Sequence, residues 1–307
     1  MEFYSAVVTI ATAAVMSSIA VLLPALGEGV SERSGVLNIG TEGYMIMGSL
    51  AAYIWYAATG NMWMGFVLGT LVGMSLSLAH AVFCITLKCN QVICGIGIWL
   101  LGLGLSGYLF RLVGLATITE KLPVTPIPLL KDIPFFGQVL FQHNIFVYIG
   151  FFLVFIFYIV IYKTPWGLLN RGAGDSPFST DMAGHNVFLI RYVSTLICGA
   201  MSGLGGAYLA IGILTRFSEG MTAGRGFIAI CVVIFGGWNP VKIMIGAFFF
   251  SLIDSLQLYV QVWSIIPYPL LIMMPYLLTV IVMAAISKKM GNMPRKLAEP
   301  YLRGETS

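Results

Sequence analysis

Between Gly43 and Leu87 the chain carries no Asp, Glu, Lys or Arg. One crossing of a hydrocarbon core takes about 20 predominantly apolar residues, so this stretch is long enough for two crossings with a short turn between them. A soluble domain cannot be built around it. Soluble domains carry about a quarter charged residues, whereas only 9% are charged here and 59% are hydrophobic. The mean hydropathy of +0.93 extends the same reading to the whole chain. Apolar segments fill nearly all 307 residues, which excludes a soluble catalytic domain, a disordered chain and a single-span anchor.

Apolar runs of spanning length fall at 3–26, 41–59, 63–87, 91–113, 144–162 and 192–214. The first follows one acidic residue and shows no cleavage site, so it is expected to remain as a span. Further on, 226–238 is too short to cross as a straight helix. It meets the breaker Gly236-Gly237-Trp238-Asn239-Pro240, and 241–262 and 266–286 follow. The expected fold is an all-α, polytopic integral membrane helical bundle of about eight spans, one of them broken. With the N-terminus outside, most Lys and Arg fall on the inner side, including Lys88, Lys163, Arg171, Arg191 and the C-terminal cluster. That is the bias the positive-inside rule requires. The division expected is a transmembrane domain at 1–287, with an extracytoplasmic loop at 114–143 and a cytoplasmic loop at 163–191, then a basic cytoplasmic tail at 288–307.

The outer loop carries Pro123, Pro126, Pro128 and Pro134 and should be an ordered cap or re-entrant loop rather than a helix. The inner loop contains Gly174-Asp175-Ser176-Pro177 and, later, Gly184. Ser176 suits an N-cap, Pro177 the first helical position and Gly184 the position after the last turn. This predicts a helix of about two turns, too short to span and polar enough to lie on the cytoplasmic face.

The richest polar stretch runs from Ser31 to Gly48. Gly35, Gly40 and Gly43 permit backbone excursions, and Asn38 supplies donors and acceptors. Glu42 falls in the first turn of the next span, where a carboxylate is favoured by the helix N-terminus. Asn38 and Glu42 are candidates to line or brace a path through the bundle; the alternative is a turn with a favourable helix-start charge. Asp254 is the only formal charge between Lys242 and Lys288 and shares a helix face with Ser251 and Gln261, pointing into the bundle. Phe227 and Trp238 are candidate stacking or gating aromatics, against the alternative of plain helix packing.

Other signals reduce to packing. Gly102-Leu103-Gly104-Leu105-Ser106-Gly107 spells a dinucleotide fingerprint inside an apolar span, without the strand that gives it meaning. Gly65, Gly69 and Gly73, like Gly199 and Gly203, recur every four residues as small faces for close helix contact. The five cysteines read as small core residues. His80, His143 and His185 are isolated, so neither a metal nor a catalytic centre is expected. No G-x-x-x-x-G-K-[ST] phosphate loop is present.

The string Glu32-Arg33-Ser34-Gly35-Val36-Leu37-Asn38-Ile39-Gly40-Thr41-Glu42-Gly43 resembles the signature of ABC-importer permeases for nucleosides and simple sugars. Their superfamily also holds ribose and branched-chain amino-acid permeases. Gly174-Asp175-Ser176-Pro177 through Asp181-Met182-Ala183-Gly184 is similar to the family's cytoplasmic coupling loop, with Asp175-Ser176 departing from its usual Gly-Glu-Asn-Pro start. Ser202 to Tyr208 and Gly224 to Pro240 are similar to later blocks. The resemblance implies a permease subunit in a bacterial inner membrane, forming the path for a nucleoside, purine, vitamin or simple sugar. It also implies a second permease subunit, a cytoplasmic ATPase that binds ATP and Mg, and an extracytoplasmic binding protein. No cofactor is implied in this chain, and no nucleic acid. Asp175, Ser176, Pro177, Asp181 and Gly184 would then couple to the ATPase.

Two other classes compete. An ion-coupled secondary transporter needs a network of intramembrane ionisable groups, and the spans read above leave only Glu42 and Asp254. An integral-membrane enzyme needs a nucleophile, metal or acid–base cluster at one depth, and none assembles.

Overall fold

The computed structural model describes residues 2–113, 121–128, 130–261 and 293–303, with scattered positions between 270 and 284. The chain opens with α1 (Glu2–Arg33), followed by α2 (Thr41–Thr59), α3 (Met62–Ala81) and α4 (Gln91–Val113). A π-helical turn, Val82–Thr86, prolongs α3. Then come the short α5 (Phe136–Leu140), α6 (Ile145–Lys163), α7 (Pro165–Asp175), α8 (Pro177–Met182) and α9 (Val187–Ala207), the last prolonged by a π-helical turn at Tyr208–Leu214. α10 (Arg225–Phe235) and α11 (Pro240–Gln261) complete the described helices. Side-chain oxygens fix where several of them begin. Asn61, Asn144, Thr164 and Asn186 each accept a backbone N–H three residues on, opening α3, α6, α7 and α9. Gly60, left-handed at φ 71°, closes α2.

Among the described residues, six segments are long and apolar enough to cross a membrane, Tyr4–Arg33, Met62–Thr86, Gln91–Val113, Ile145–Lys163, Val187–Leu214 and Pro240–Gln261. α2, at 19 residues, matches them in length. The protein is thus an all-α, multi-pass membrane bundle. The last expected crossing, 266–286, lies largely outside the described residues, as do parts of the 114–143 loop and of the 288–307 tail.

Glycine faces build the centre of the bundle. A Cβ on Gly48 of α2 would lie 2.7 Å from the Cα of Gly203 in α9, and one on Gly73 of α3 would meet that same Cα at 2.7 Å. Gly69 faces Gly48 and Ala207, and Gly65 faces the main chain of Ala52. The three helices therefore touch backbone to backbone, the arrangement the four-residue spacing predicts. Gly102 of the false fingerprint packs on Gly43 in the same way. Outward faces of α3, α4 and α6 expose large apolar side chains such as Leu71, Leu100 and Phe155, as lipid-facing helices do.

Four sequence expectations change. The first helix does not end near Leu26: α1 runs through Pro24, whose ring packs against Gly205, to Arg33. This brings Glu28 and Glu32 inside the protein, both fully buried, so Glu42 and Asp254 are not the only acids within the helices. Secondly, α10 and α11 lie side by side rather than end to end, with Gly246 facing Val232 and Phe235 while Gly236 faces Ile243. The breaker at 236–239 makes a hairpin. Thirdly, the 163–191 loop holds a second helix, α7, ahead of the expected short one. Fourthly, Cys84 and Cys198 are buried as core residues, but Cys89 is exposed.

The 114–143 loop is ordered where it is described, and it also holds the short helix α5 where none was expected. Val124 pairs with Asn144 in an isolated antiparallel bridge, the amides of Thr125 and Ile127 donate to His143 and Phe141, and Leu122 packs beside Gly212.

Candidate functional site

The last two turns of α1 place Glu28 and Glu32 four residues apart, on one face. Glu28 turns its carboxylate onto the loop that follows: Oε1 accepts the Asn38 amide at 2.9 Å, and Oε2 accepts the Cys198 thiol at 2.9 Å and the Thr41 hydroxyl at 3.4 Å. Glu32 Oε2 accepts the indole N–H of Trp238. Asn38 folds its side chain back into the loop, where Oδ1 accepts the Gly40 amide at 3.2 Å and the Tyr44 hydroxyl at 2.8 Å. Leu37 N donates to Gln91 Oε1 at 2.8 Å, and Ser31 Oγ to Val36 O at 2.9 Å. A buried irregular loop needs such partners for its main chain, and here side chains of α1, α4 and α9 supply them. Gly35 has φ 93°, and a Cβ there would press within 2.7 Å of Arg191 Nη2. Only glycine suits that position.

Glu42 binds a different helix from the one it begins. Its carboxylate accepts Thr222 Oγ1 at 2.6 Å, Gly224 N at 2.8 Å and Gly226 N at 2.6 Å. It therefore caps the N-terminus of α10, satisfying amides that have no partner inside that helix. A Cβ on Gly226 would sit 2.6 Å from the Cα of Glu42, so the starts of α2 and α10 are in direct contact.

The structure thus places Asn38, Glu42 and Trp238 in one buried polar framework, and sets Phe227 and Asp254 apart from it. Phe227 is half-buried, edge to face with Trp99 at 5.1 Å. Asp254 Oδ2 accepts Arg225 Nη2 at 3.0 Å, with about a third of the Asp254 side chain, 31%, exposed. Sequence reasoning missed Glu28, Glu32, Trp99, Arg225 and Cys198. The i, i+4 spacing of the two glutamates was visible, but their partners lie far along the chain.

α7 and α8 follow one another within 163–191 and meet at Ser176. Thr164 caps α7 and Pro165 begins it, a signal that could have been read from the sequence. α8 has the predicted make-up: Ser176 at the N-cap, Pro177 first, and Gly184 left-handed at φ 85° beyond its end. The Ser176 hydroxyl, however, pairs with Ser179 Oγ at 2.7 Å instead of capping an amide. Asp175 is exposed, and Asp181 accepts Tyr301 Oη at 3.0 Å and Arg303 Nε at 3.2 Å. Met182, 72% exposed, projects from the tip. No group of three or more potential metal ligands forms among the described residues.

Residues 9–286 match the family model described as the permease component of the branched-chain amino acid transport system. A guanosine ABC transporter permease of Bacillus subtilis is 33% identical over 92% of this chain and 93% of its own. A nucleoside ABC transporter permease of Lactococcus lactis is 32% identical over 86% of this chain and 87% of its own. A provisionally named glucose ABC transporter permease of Haloferax volcanii is 37% identical over 82% of this chain and 78% of its own. No solved structure matches. With the buried loop, the capped half-helix α10 and the surface helix α8 all inside the matched region, the chain belongs to the family of branched-chain amino acid transport system permease components.

Proposed function

We propose that the chain is the permease subunit of an ATP-driven importer, forming the path of a nucleoside or a related small polar ring compound through a bacterial inner membrane. The observation that carries this reading is similarity to nucleoside permeases along about nine tenths of the chain. Its partners on this reading are a second permease subunit, a cytoplasmic ATPase that holds ATP and Mg, and an extracytoplasmic binding protein. The C-terminus faces the cytoplasm and the N-terminus faces outward. α8 docks in the ATPase, with Asp175, Ser176, Pro177, Asp181 and Gly184 shaping it and the exposed Met182 at its tip.

For the path, burial separates the candidates. Asn38, Glu42 and Trp238 are at most 4% exposed and committed to internal hydrogen bonds, which supports a bracing role. Phe227 with Trp99 and Asp254 with Arg225 keep accessible surface. They combine a stacking face with charged hydrogen-bonding groups, as a ring solute with polar edges requires.

Vesicles containing the complete complex test the function: uptake of labelled guanosine should require ATP and survive collapse of ion gradients. Uptake that follows the ion gradient without ATP would replace this reading with a secondary transporter. Gly184→Trp combined with Pro177→Ala should reduce ATPase co-purification. Unchanged complex and uptake would remove α8 as the docking element.

A further inference from the structure

The segment 293–303 is bound back onto the bundle. Its main chain is held at four points: the Arg295 amide donates to Asp175 Oδ1 at 3.4 Å, the Lys296 amide to Gly174 O at 2.9 Å and the Ala298 amide to Gly35 O at 3.1 Å, while Glu299 O accepts from Arg191. Its side chains reach α8, with Tyr301 and Arg303 both donating to Asp181. The Tyr301 ring packs on Phe188 at 5.6 Å, in a small apolar cluster with Ala173, Val187 and Ile190. This segment therefore touches the coupling helix at one end and the buried loop at the other.

Arg191 stands where these pieces meet. It is 2% exposed, and its three nitrogens each reach a different segment: Nε donates to Ser34 O at 3.1 Å, Nη1 to Glu299 O at 2.9 Å and Nη2 to Ala173 O at 3.4 Å. Those carbonyls belong to the start of the buried loop after α1, the C-terminal segment and the end of α7. A planar guanidinium with five fixed N–H groups can hold three separate carbonyls, whereas a lysine ammonium on a flexible stem cannot reproduce that fork. Three backbone segments are thus fastened to one side chain of α9.

We propose that Arg191 is a positioning residue for energy coupling: together with the segment 293–303 it ties α8 to the buried loop 34–42, so that a displacement of α8 is carried to the loop that Glu28 and Asn38 organise. The proposal rests on the reading of α8 as the ATPase-docking helix. The route is short and hydrogen-bonded throughout. From Asp181 it passes through Tyr301 into the segment, then through Ala298 N to Gly35, with Arg191 clamping Glu299 and Ser34 beside it. Gly174 adds a direct contact, since a Cβ there would lie 3.0 Å from the carbonyl carbon of Arg33. Packing this close transmits displacement instead of absorbing it.

The test is backbone hydrogen exchange on the full chain in lipid nanodiscs. Tyr301→Phe with Arg303→Ala keeps the ring packing and cuts both hydrogen bonds to Asp181, far from the loop. Exchange across 34–42 should rise roughly fivefold or more, the scale of one lost hydrogen bond. Loosening confined to 177–184 and 293–303 overturns the proposal, because it is what a merely local role produces. Arg191→Lys should loosen the loop and the C-terminal segment together while the rest of α9 stays protected; protection equal to wild type overturns the positioning role. Adding the ATPase subunit separates the two readings. It should bind wild type and both variants, and change exchange at 34–42 in wild type only. If it binds none of them the docking reading fails, while the first two measurements still decide the link.

Discussion

Replacing Glu42 with alanine removes the acceptor of three hydrogen bonds at once. It leaves the Thr222 hydroxyl and the Gly224 and Gly226 amides without their partner at a buried helix start. Hydrogen bonds to charged groups contribute about 1.5–3 kcal/mol each, but they are not additive where they share one carboxylate. Deleting one side of a buried charged contact costs about 3–5 kcal/mol, the more suitable range here. At about 2–4 °C per kcal/mol for a large domain, Glu42→Ala should unfold some 6–20 °C below wild type. Glu42→Gln gives an internal control. Oε1 alone serves Thr222 and Gly224, so an amide that keeps that oxygen loses only the Gly226 contact, and the drop should be about half as large. Thermal unfolding of the purified protein in one detergent, followed by size exclusion, measures both. An alanine variant within about 2 °C of wild type would refute the idea that this carboxylate holds the starts of α2 and α10 together.

Gly48→Val forces a branched side chain against the Gly203 backbone and should cut folded yield severely, whereas Gly97→Ala, where a Cβ meets nothing, should be neutral in the same expression and melting assay. Trp238→Phe leaves Glu32 without its indole donor and should lower the melting temperature by several degrees, with partial recovery when Glu32→Gln is added. Burial holds the His143 imidazole below its ordinary value of 6.5 while its ring N–H meets Val139 O. The unfolded chain therefore takes up a proton first: stability is full above about pH 6.5 and falls as pH drops through and below it. His143→Gln should flatten that part of the melting-temperature profile between pH 7 and 5, and an unchanged slope would assign it to other groups. Arg111→Ala, removing an exposed ion pair with Glu219, should shift melting by less than about 2 °C, and less still in high salt.

What the sequence made legible was local. Ser176, Pro177 and Gly184 outline α8 because capping is decided within a few residues, and the four-residue glycine spacing marks α3 and α9 because a helix face repeats within the helix. The length of 226–238 alone shows that α10 cannot span. What stayed hidden depends on contacts across the chain. Glu28 and Glu32 look like solvated charges beyond the first apolar run; their burial is possible only because Asn38, Cys198 and Trp238 arrive from other elements. Likewise, nothing near Arg191 announces that its partners are carbonyls at 34, 173 and 299. Hydropathy places a residue by its neighbours in sequence, and these residues are placed by neighbours in space.

The glycine contacts among α2, α3 and α9 restrict how the protein can move. Where backbones meet without intervening side chains, no rotamers can rearrange to let one helix slide past another, and any shift opens a void or a clash at once. The three helices must then turn as one plate. α4 and the start of α10 join the same plate through Gly102 on Gly43 and Gly226 on Glu42, so relative motion falls to helices held by side chains: α6, whose Gly150 meets the Ile19 side chain, and α11, whose Ile243 side chain meets Gly29 of α1. Cysteine pairs that lock α2 to α9 should therefore leave transport running, whereas pairs that lock α11 to α1 across their side-chain contact should slow it.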